Sequence, residues 1–145
     1  MNLLLLKPQQ LSDRVAVVTG RQLDQLTQIQ GCSVGDTVRT GVLDGLMGIA
    51  TIIELNSQRA VLELNLDSPP PAITPLCLVL AMPRPKMLRR TLQTVASMGV
   101  KDLYLINSLR VEKSFWQSPF LHTEAIEEQL ILGLEQARDT LLPRL

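Results

Sequence analysis

The sequence predicts a mixed α+β protein in two parts, a small barrel of antiparallel strands followed by an α/β unit. Three observations lead to this fold class. Short apolar segments separated by turn signals fill residues 1–70. The segment "SPPPAITP" then forms a stiff, extended seam. Beyond it, residues 71–145 change to an apolar strand pattern followed by a helical one, as in a parallel βαβ unit. We therefore predict one domain over 1–70 and a second over 71–145.

In the first part, "LLLL" predicts a strand, and "TGRQLDQLTQIQG" predicts a short helix with Leu23, Leu26 and Ile29 facing inward. The pair Asp44-Gly45 predicts a tight hairpin between "DTVRTGVL" and "IATIIEL". A further strand, "AVLELNL", alternates apolar and polar residues. Several antiparallel strands around one helix predict a small barrel or open barrel.

In the second part, "LCLVLAM" is apolar without alternation, which predicts a strand covered on both faces. "KMLRRTLQTVASM" predicts a helix that ends before Gly99, and "KDLYLIN" predicts a parallel strand after it. A second helix is predicted over roughly 123–140. The predicted core face of the first helix consists of Leu88, Leu92, Val95 and Ala96.

The composition narrows the class of protein. Hydrophobic residues make up 46% and charged residues 19% of the chain, which excludes a disordered polyelectrolyte. No apolar run approaches the length of a membrane span, so we expect a cytoplasmic protein without a membrane partner. Cys32 and Cys77 match no metal-ligand spacing. We predict that both are small buried hydrophobic residues, with a disulfide as the alternative, and that the chain has no metal site.

Positive charge is concentrated in one segment, although the formal net charge is zero. Residues 71–113 contain seven basic and two acidic residues, a net charge of +5. One basic cluster follows the first strand of this part, and a second follows the next strand. Because the carboxyl ends of parallel strands meet at one edge, both clusters are predicted to share a rim. The alternative is a solvated helix face that carries charge for solubility.

These residues carry a resemblance to a known family. "LVLAMPRPKMLRRTLQTVASMGVKDLYLINSLRVEKSFWQSP", followed by "EAIEEQLILGLEQARDTLLP", resembles the RsmE family of ribosomal RNA uridine N3-methyltransferases. "QLSDRVAVVTGRQLDQLTQIQGCSVGDTVRTGVLDGLMGIATI" resembles the barrel of that family. The resemblance implies an N-terminal PUA-like β-barrel and an α/β SPOUT domain. It also implies S-adenosylmethionine as cofactor, ribosomal RNA or the assembling small ribosomal subunit as partner, and a homodimer.

The resemblance implies roles for particular residues. Glu135, Gln136 and Arg138 match a segment that faces the substrate side in the family, although polar residues at a helix end are an alternative. The chain departs from the family at Gln22, where the family often has His. The predicted RNA-binding residues are Arg21, Arg84, Lys86, Arg89, Arg90, Arg110, Lys113 and Arg138. Arginine is favoured over Lys101, because a guanidinium fork suits phosphate oxygens.

The family binds its cofactor through a glycine-rich "GPEGG"-like loop and later knot segments, and no such segment occurs in these residues. We therefore expect an incomplete SPOUT domain without a cofactor-binding residue, with much of the dimer interface missing, and inactive alone. The catalytic residues are not identified. Two alternatives stay open: an RNA-binding module without catalysis, and an interaction fragment whose sheet edge a partner chain covers.

Three further side chains are candidate site residues. Phe115 and Trp116 match either a platform for an unpaired base or a hydrophobic plug that holds a loop, and the plug is favoured. His122, the only histidine, is predicted to be a capping or surface residue rather than a general base.

Overall fold

The computed structural model describes residues 1–145 and forms two compact units, Met1–Pro70 (unit 1) and Pro71–Leu145 (unit 2). Unit 1 is dominated by one curled sheet, whereas unit 2 combines a small parallel sheet with two longer helices. The predicted α+β fold class is confirmed. No helix in the chain has both the length and the apolar character that are needed to cross a lipid bilayer.

Unit 1 contains six strands: β1 (Leu4–Leu6), β2 (Leu11–Ser12), β3 (Val15–Val18), β4 (Thr37–Val42), β5 (Met47–Leu55) and β6 (Ala60–Ser68). They form one sheet in the order β1-β4-β5-β6-β3-β2, in which β1 and β4 run parallel and the other neighbours antiparallel. A short helix, α1 (Gly20–Asp24), continues into a π-helical segment, Gln25–Ile29.

The core of unit 1 follows from the alternation of the strands. Leu6, Ile52 and Leu62 come from three different strands, and each is 0% exposed. Leu26, from the helical segment, packs into the same cluster. Burying an aliphatic side chain of this size contributes about 1.5–3 kcal/mol, so these four residues together contribute about 6–12 kcal/mol to folding. Glu63 and Asn65 point to solvent between the buried residues of β6, as the predicted alternation requires.

Two details of unit 1 differ from the sequence predictions. Ile29 is 72% exposed rather than inward-facing, because the π-helical segment has wider turns and a spacing of three residues no longer returns to the same face. The hairpin at Asp44-Gly45 exists, but its loop is longer than two residues. The Val42 N–H donates to the Leu46 carbonyl, and the Gly45 N–H donates to the Val42 carbonyl.

Unit 2 is a βαβ unit followed by a second helix. β7 (Cys77–Ala81) and β8 (Asp102–Ile106) pair in parallel, and α2 (Pro85–Ser97) connects them. Two 3₁₀ turns, Lys113–Gln117 and Pro119–Leu121, lead to α3 (Thr123–Ala137).

The ends and the inner face of α2 agree with the sequence. Pro85 is the first helical residue, where its missing N–H leaves no hydrogen bond unmade. Gly99 has a φ of +79° directly after the C-cap, as a left-handed helix stop requires. The four residues predicted for the core face are all buried: Leu88, Leu92, Val95 and Ala96.

The prediction that the first strand of unit 2 is covered on both faces is wrong. Leu78 and Leu80 of β7 are half-buried, but Val79 between them is 57% exposed. On β8, Leu103 is buried, whereas the adjacent Tyr104, the register partner of Val79, is 58% exposed. The two-stranded sheet of this chain therefore has one inner face and one apolar face that is open to solvent.

A buried ion pair holds the end of the chain against the start of β8. Lys101 Nζ donates to Asp139 Oδ2 at 2.6 Å and to the Leu141 carbonyl at 2.7 Å. Both charged side chains are less than a tenth exposed. Arg144 then pairs with β8 through a parallel bridge to Asp102.

The two cysteines are less buried than predicted. Cys32 is half-buried in unit 1, and Cys77 is exposed on the open face of β7. Burial, followed by the negative charge of Asp36, raises the pKa of the Cys32 thiol.

Candidate nucleic-acid interface

The parallel pairing of β7 and β8 places the two basic clusters of unit 2 after the same sheet edge. Ala81 and Ile106 are register partners at the carboxyl ends of the strands, and the Met82 N–H donates to the Ile106 carbonyl at 2.9 Å. The chain leaves this edge towards α2 on one side and towards the first 3₁₀ turn on the other. We call the six cations of these two segments the basic rim: Arg84, Lys86, Arg89, Arg90, Arg110 and Lys113.

Helix α2 presents its cations away from its core face. Lys86 and Arg90 are one turn apart and both exposed, whereas Leu88 and Leu92 face the interior. The first turn of α2 contains no acidic residue. The partial positive charge of the helix N-terminus therefore adds to the field of the side chains, and an anion is favoured there.

The residues of the basic rim are not neutralised within the chain. All six are exposed, and none forms an ion pair with a carboxylate. Lys101, the one further lysine of this segment, differs because it is buried and paired with Asp139. Lys101 is therefore not part of the basic rim. Six unpaired cations in two neighbouring segments give a surface suited to a polyanion.

Two aromatic side chains of the connection between β8 and α3 contact neighbouring segments of unit 2. Trp116 Nε1 donates to Asn107 Oδ1 at 3.3 Å, and Asn107 directly follows the last residue of β8. The Arg89 guanidinium carbon lies 5.0 Å from the centroid of the Phe120 ring, a cation–π contact. Phe120 therefore contacts a cation of the basic rim, and Trp116 follows Lys113 by three residues in the same 3₁₀ turn, where such residues lie on one side.

The remaining predicted residues have different environments. Arg21 is exposed on α1 in unit 1, and Arg138 is exposed at the C-cap of α3, with a left-handed φ of +56°. Gln136 is exposed as well. Glu135 is 1% exposed, so it is not a surface contact for RNA in this structure. His122 occupies the N-cap of α3 and is exposed, but its side chain forms no capping hydrogen bond.

Sequence reasoning missed two polar arrangements. Asn107 was not singled out, although an asparagine directly after a parallel strand is a signal that could have been used. In unit 1, Gln22 Nε2 donates to the Leu5 carbonyl at 2.7 Å and its Oε1 accepts from Gln10 Nε2 at 2.8 Å. Gln22 therefore links α1 to β1. It stands where the resembled family often has a histidine.

Unit 2 has a cavity that is small for a ligand of the size of S-adenosylmethionine. A cavity beside α3 has a volume of about 210 Å³ and is lined mainly by apolar residues, among them Ile126, Leu130 and Leu142. Pockets for ligands of this size usually have volumes of about 300–1,000 Å³ and a few convergent polar groups. No cluster of three or more His, Cys, Asp or Glu residues could hold a metal ion.

Comparisons with known proteins agree with this arrangement. The model of the RNA methyltransferase domain family matches residues 69–145. The ribosomal RNA small subunit methyltransferase E of Treponema pallidum is 33% identical over 148 aligned positions, which cover 99% of this chain and 55% of that protein. The chain thus spans about half the length of this curated relative.

Solved structures show the same fold. The ribosomal RNA small subunit methyltransferase E of Neisseria gonorrhoeae, bound to S-adenosyl methionine, matches with a TM-score of 0.71 and 18% identity. This match covers 99% of our chain and 59% of that one. A probable rRNA-methyltransferase from Porphyromonas gingivalis matches with a TM-score of 0.73 and 16% identity, over 99% of our chain and 58% of that one. The predicted resemblance is confirmed, and this chain belongs to the RNA methyltransferase family, with RsmE proteins among the relatives it resembles.

Proposed function

We propose that this chain is the RNA-binding front portion of an S-adenosylmethionine-dependent methyltransferase that methylates N3 of a uridine in small-subunit ribosomal RNA. The observation that carries the proposal is the basic rim: six exposed, unpaired cations after the carboxyl ends of two parallel strands. The rim lies within the residues that match the RNA methyltransferase family. Substrate and cofactor come from the resemblance to RsmE proteins.

The proposed chemistry requires the RNA to be held in a defined position. Uridine N3 lies on the base-pairing edge and carries a proton, so the base must be unpaired and the proton lost before a methyl group is accepted. When the nitrogen is held in line with the methyl donor, the loss of translational and rotational entropy occurs on binding. The barrier of the chemical step is lowered by that amount. In this proposal the chain contributes RNA binding and orientation, and residues outside it hold the cofactor.

The proposed partners follow from this function. Ribosomal RNA or the assembling small subunit is the ligand, and the cytoplasm is the location. Unit 1 acts as a PUA-like RNA-binding barrel, with Arg21 as an RNA contact. Unit 2 is the first part of a SPOUT domain, in which Arg138 and Gln136 face the substrate. A homodimer forms through segments that lie largely outside this chain.

The RNA-binding claim is tested by changing charge. We expect the variant R89Q/R90Q/R110Q to bind a small-subunit ribosomal RNA fragment more weakly than the unmodified chain. The dependence of log Kd on log salt should also flatten, by about 0.7–0.9 for each phosphate contact that is lost. A control matched in charge compares R89Q/R90Q with R14Q/R39Q, which removes two exposed cations of unit 1 that form no ion pair and are not assigned to RNA binding. A salt slope that is the same for both variants would contradict the basic rim.

The small cavity of unit 2 favours a second candidate, an RNA-binding module without catalysis. Titration calorimetry of this chain with S-adenosylmethionine should show no binding, and micromolar binding would contradict the placement of the cofactor outside it. Adding the remaining part of an RsmE relative and measuring methyl transfer to ribosomal RNA separates the two candidates. Transfer supports the methyltransferase, and its absence with intact RNA binding supports the module.

A further inference from the structure

We propose that Trp116 is a stacking platform for one unpaired base of the RNA that the basic rim holds. This inference rests on the proposed function, because it assumes an RNA ligand. The inference adds a residue that distinguishes single-stranded RNA from double-stranded RNA. The sequence alone favoured a plug role for Phe115 and Trp116 together, and the structure separates these two residues.

Trp116 is held by a hydrogen bond from the N–H group at the edge of its indole ring. The indole N–H lies in the plane of the ring, and it donates to Asn107 Oδ1 at 3.3 Å. This hydrogen bond orients the ring without using either of its faces. Asn107 follows Ile106, whose register partner Ala81 precedes the first cation of the basic rim by three residues. The indole is therefore anchored at the sheet edge from which both basic segments depart.

The exposure of the aromatic side chains distinguishes their roles. Phe115 and Phe120 are half-buried, and Phe120 is in contact with the guanidinium of Arg89. Trp116 is 39% exposed, more than either phenylalanine. An exposed indole whose orientation is fixed by a hydrogen bond loses little conformational entropy when a base stacks on it.

The combination of a fixed aromatic ring with adjacent cations is suited to single-stranded RNA. Cations hold the phosphates without reading the base, and an aromatic face stacks an unpaired base of any type. A base inside a duplex offers no free face for stacking. Trp116 is therefore expected to discriminate an unpaired ligand from a paired one, while the basic rim binds both.

The test uses the only tryptophan in the chain. A short single-stranded oligouridylate should quench the fluorescence of Trp116. A strand of the same length with abasic nucleotides, and an RNA duplex of the same length, should quench it much less. Affinities are measured separately by fluorescence anisotropy of labelled RNA. We expect W116A to weaken oligouridylate binding by about 5- to 100-fold, and to leave the abasic strand and the salt slope unchanged.

Matched variants separate stacking from packing. W116F retains an aromatic face and should recover most of the affinity for oligouridylate, whereas W116L, which is apolar but not aromatic, should not. Circular dichroism confirms that each variant is folded. If W116L binds as well as W116F, or if W116A weakens abasic and oligouridylate strands equally, Trp116 is a packing residue and the inference is wrong. If the unmodified chain binds none of these RNAs, the proposed function fails as well, and the stacking platform fails with it.

Discussion

Units 1 and 2 are both rich in aliphatic residues, yet they bury them to different extents. In unit 1 the curled six-stranded sheet encloses a cluster in which Leu6, Ile52 and Leu62 are fully buried. In unit 2 the sheet has only two strands, and Val79 and Tyr104 lie exposed on one of its faces. The difference teaches that an apolar strand is buried on both faces only when enough other elements are present to cover it. Its sequence pattern does not supply those elements.

The units also differ in what can be observed. All four aromatic residues, Tyr104, Phe115, Trp116 and Phe120, belong to unit 2. Tryptophan fluorescence therefore reports unit 2, whereas far-ultraviolet circular dichroism reports both units. This property makes the comparison testable one unit at a time.

The largest effect is expected from Lys101→Met in unit 2. The change leaves the Asp139 carboxylate buried without its partner, which costs about 3–5 kcal/mol. Urea unfolding followed by tryptophan fluorescence should show this loss. The double variant K101M/D139L should recover most of it, because no uncompensated charge remains. If K101M alone is as stable as the unmodified chain, the buried ion pair does not hold the end of the chain.

A smaller effect is expected from a matched pair of glycines, one in each unit. A Cβ at Gly133 would lie 2.3 Å from the Gln93 carbonyl oxygen, where α3 approaches α2. A Cβ at Gly48 would lie 2.0 Å from the Asn65 carbonyl oxygen, where β5 approaches β6. Because backbone must shift in both cases, we expect each Gly→Ala change to cost about 1–3 kcal/mol.

The readouts of the two glycine variants should differ. G133A should lower the unfolding midpoint seen by fluorescence, and G48A should alter the circular dichroism transition without an equal change in fluorescence. If fluorescence and circular dichroism shift equally in both variants, the two units unfold together. The comparison between the units would then concern their packing and not their separate stabilities.

A change on the open face of unit 2 should have little effect on stability. Val79→Lys removes an exposed apolar side chain, so the free energy of unfolding should change by no more than about 0.5 kcal/mol. Binding of the dye ANS should fall, because the apolar patch is interrupted. Gln58→Lys adds the same charge to an exposed turn of unit 1 and serves as the control. A large loss of stability in V79K would mean that this face is packed.

The smallest effect concerns the thiols. Burial and Asp36 raise the pKa of Cys32 in the folded chain, so Cys32 should react with iodoacetamide more slowly than the exposed Cys77. The folded state retains the Cys32 proton to higher pH than the unfolded state. The resulting stabilisation is therefore present below the unfolded pKa and is lost as pH rises through the folded pKa. The variant C77S reports the alkylation rate of Cys32, and C32S reports that of Cys77. A faster rate for Cys32 would contradict the raised pKa.

Local features of the fold were predictable because neighbouring residues determine them. Pro85 at the helix start and Gly99 at its stop depend on the backbone geometry of single residues. The buried face of α2 depends on the helical period alone. Ile29 was misplaced because the period changed within one helical segment, and no residue in the sequence signals a π-helical turn.

The candidate interface was predictable only in part. The sequence indicated which cations cluster, and the parallel pairing places both clusters after one sheet edge. It did not indicate that Trp116 bonds to Asn107 or that Arg89 lies over Phe120, because each contact joins two different segments and depends on how those segments fold together. The burial of Glu135 was not apparent for the same reason.

The sequence by itself determined the two-part organisation, the course of the strands and helices, and the concentration of positive charge after the proline-rich seam. These follow from composition and from periods of two or 3.6 residues, which act over short distances. Only the tertiary structure decided which face of the small sheet is open, which lysine is buried in an ion pair, and which aromatic ring is exposed. Those outcomes depend on contacts between distant segments, and the free energy of such contacts cannot be assigned to a residue before its neighbours are known.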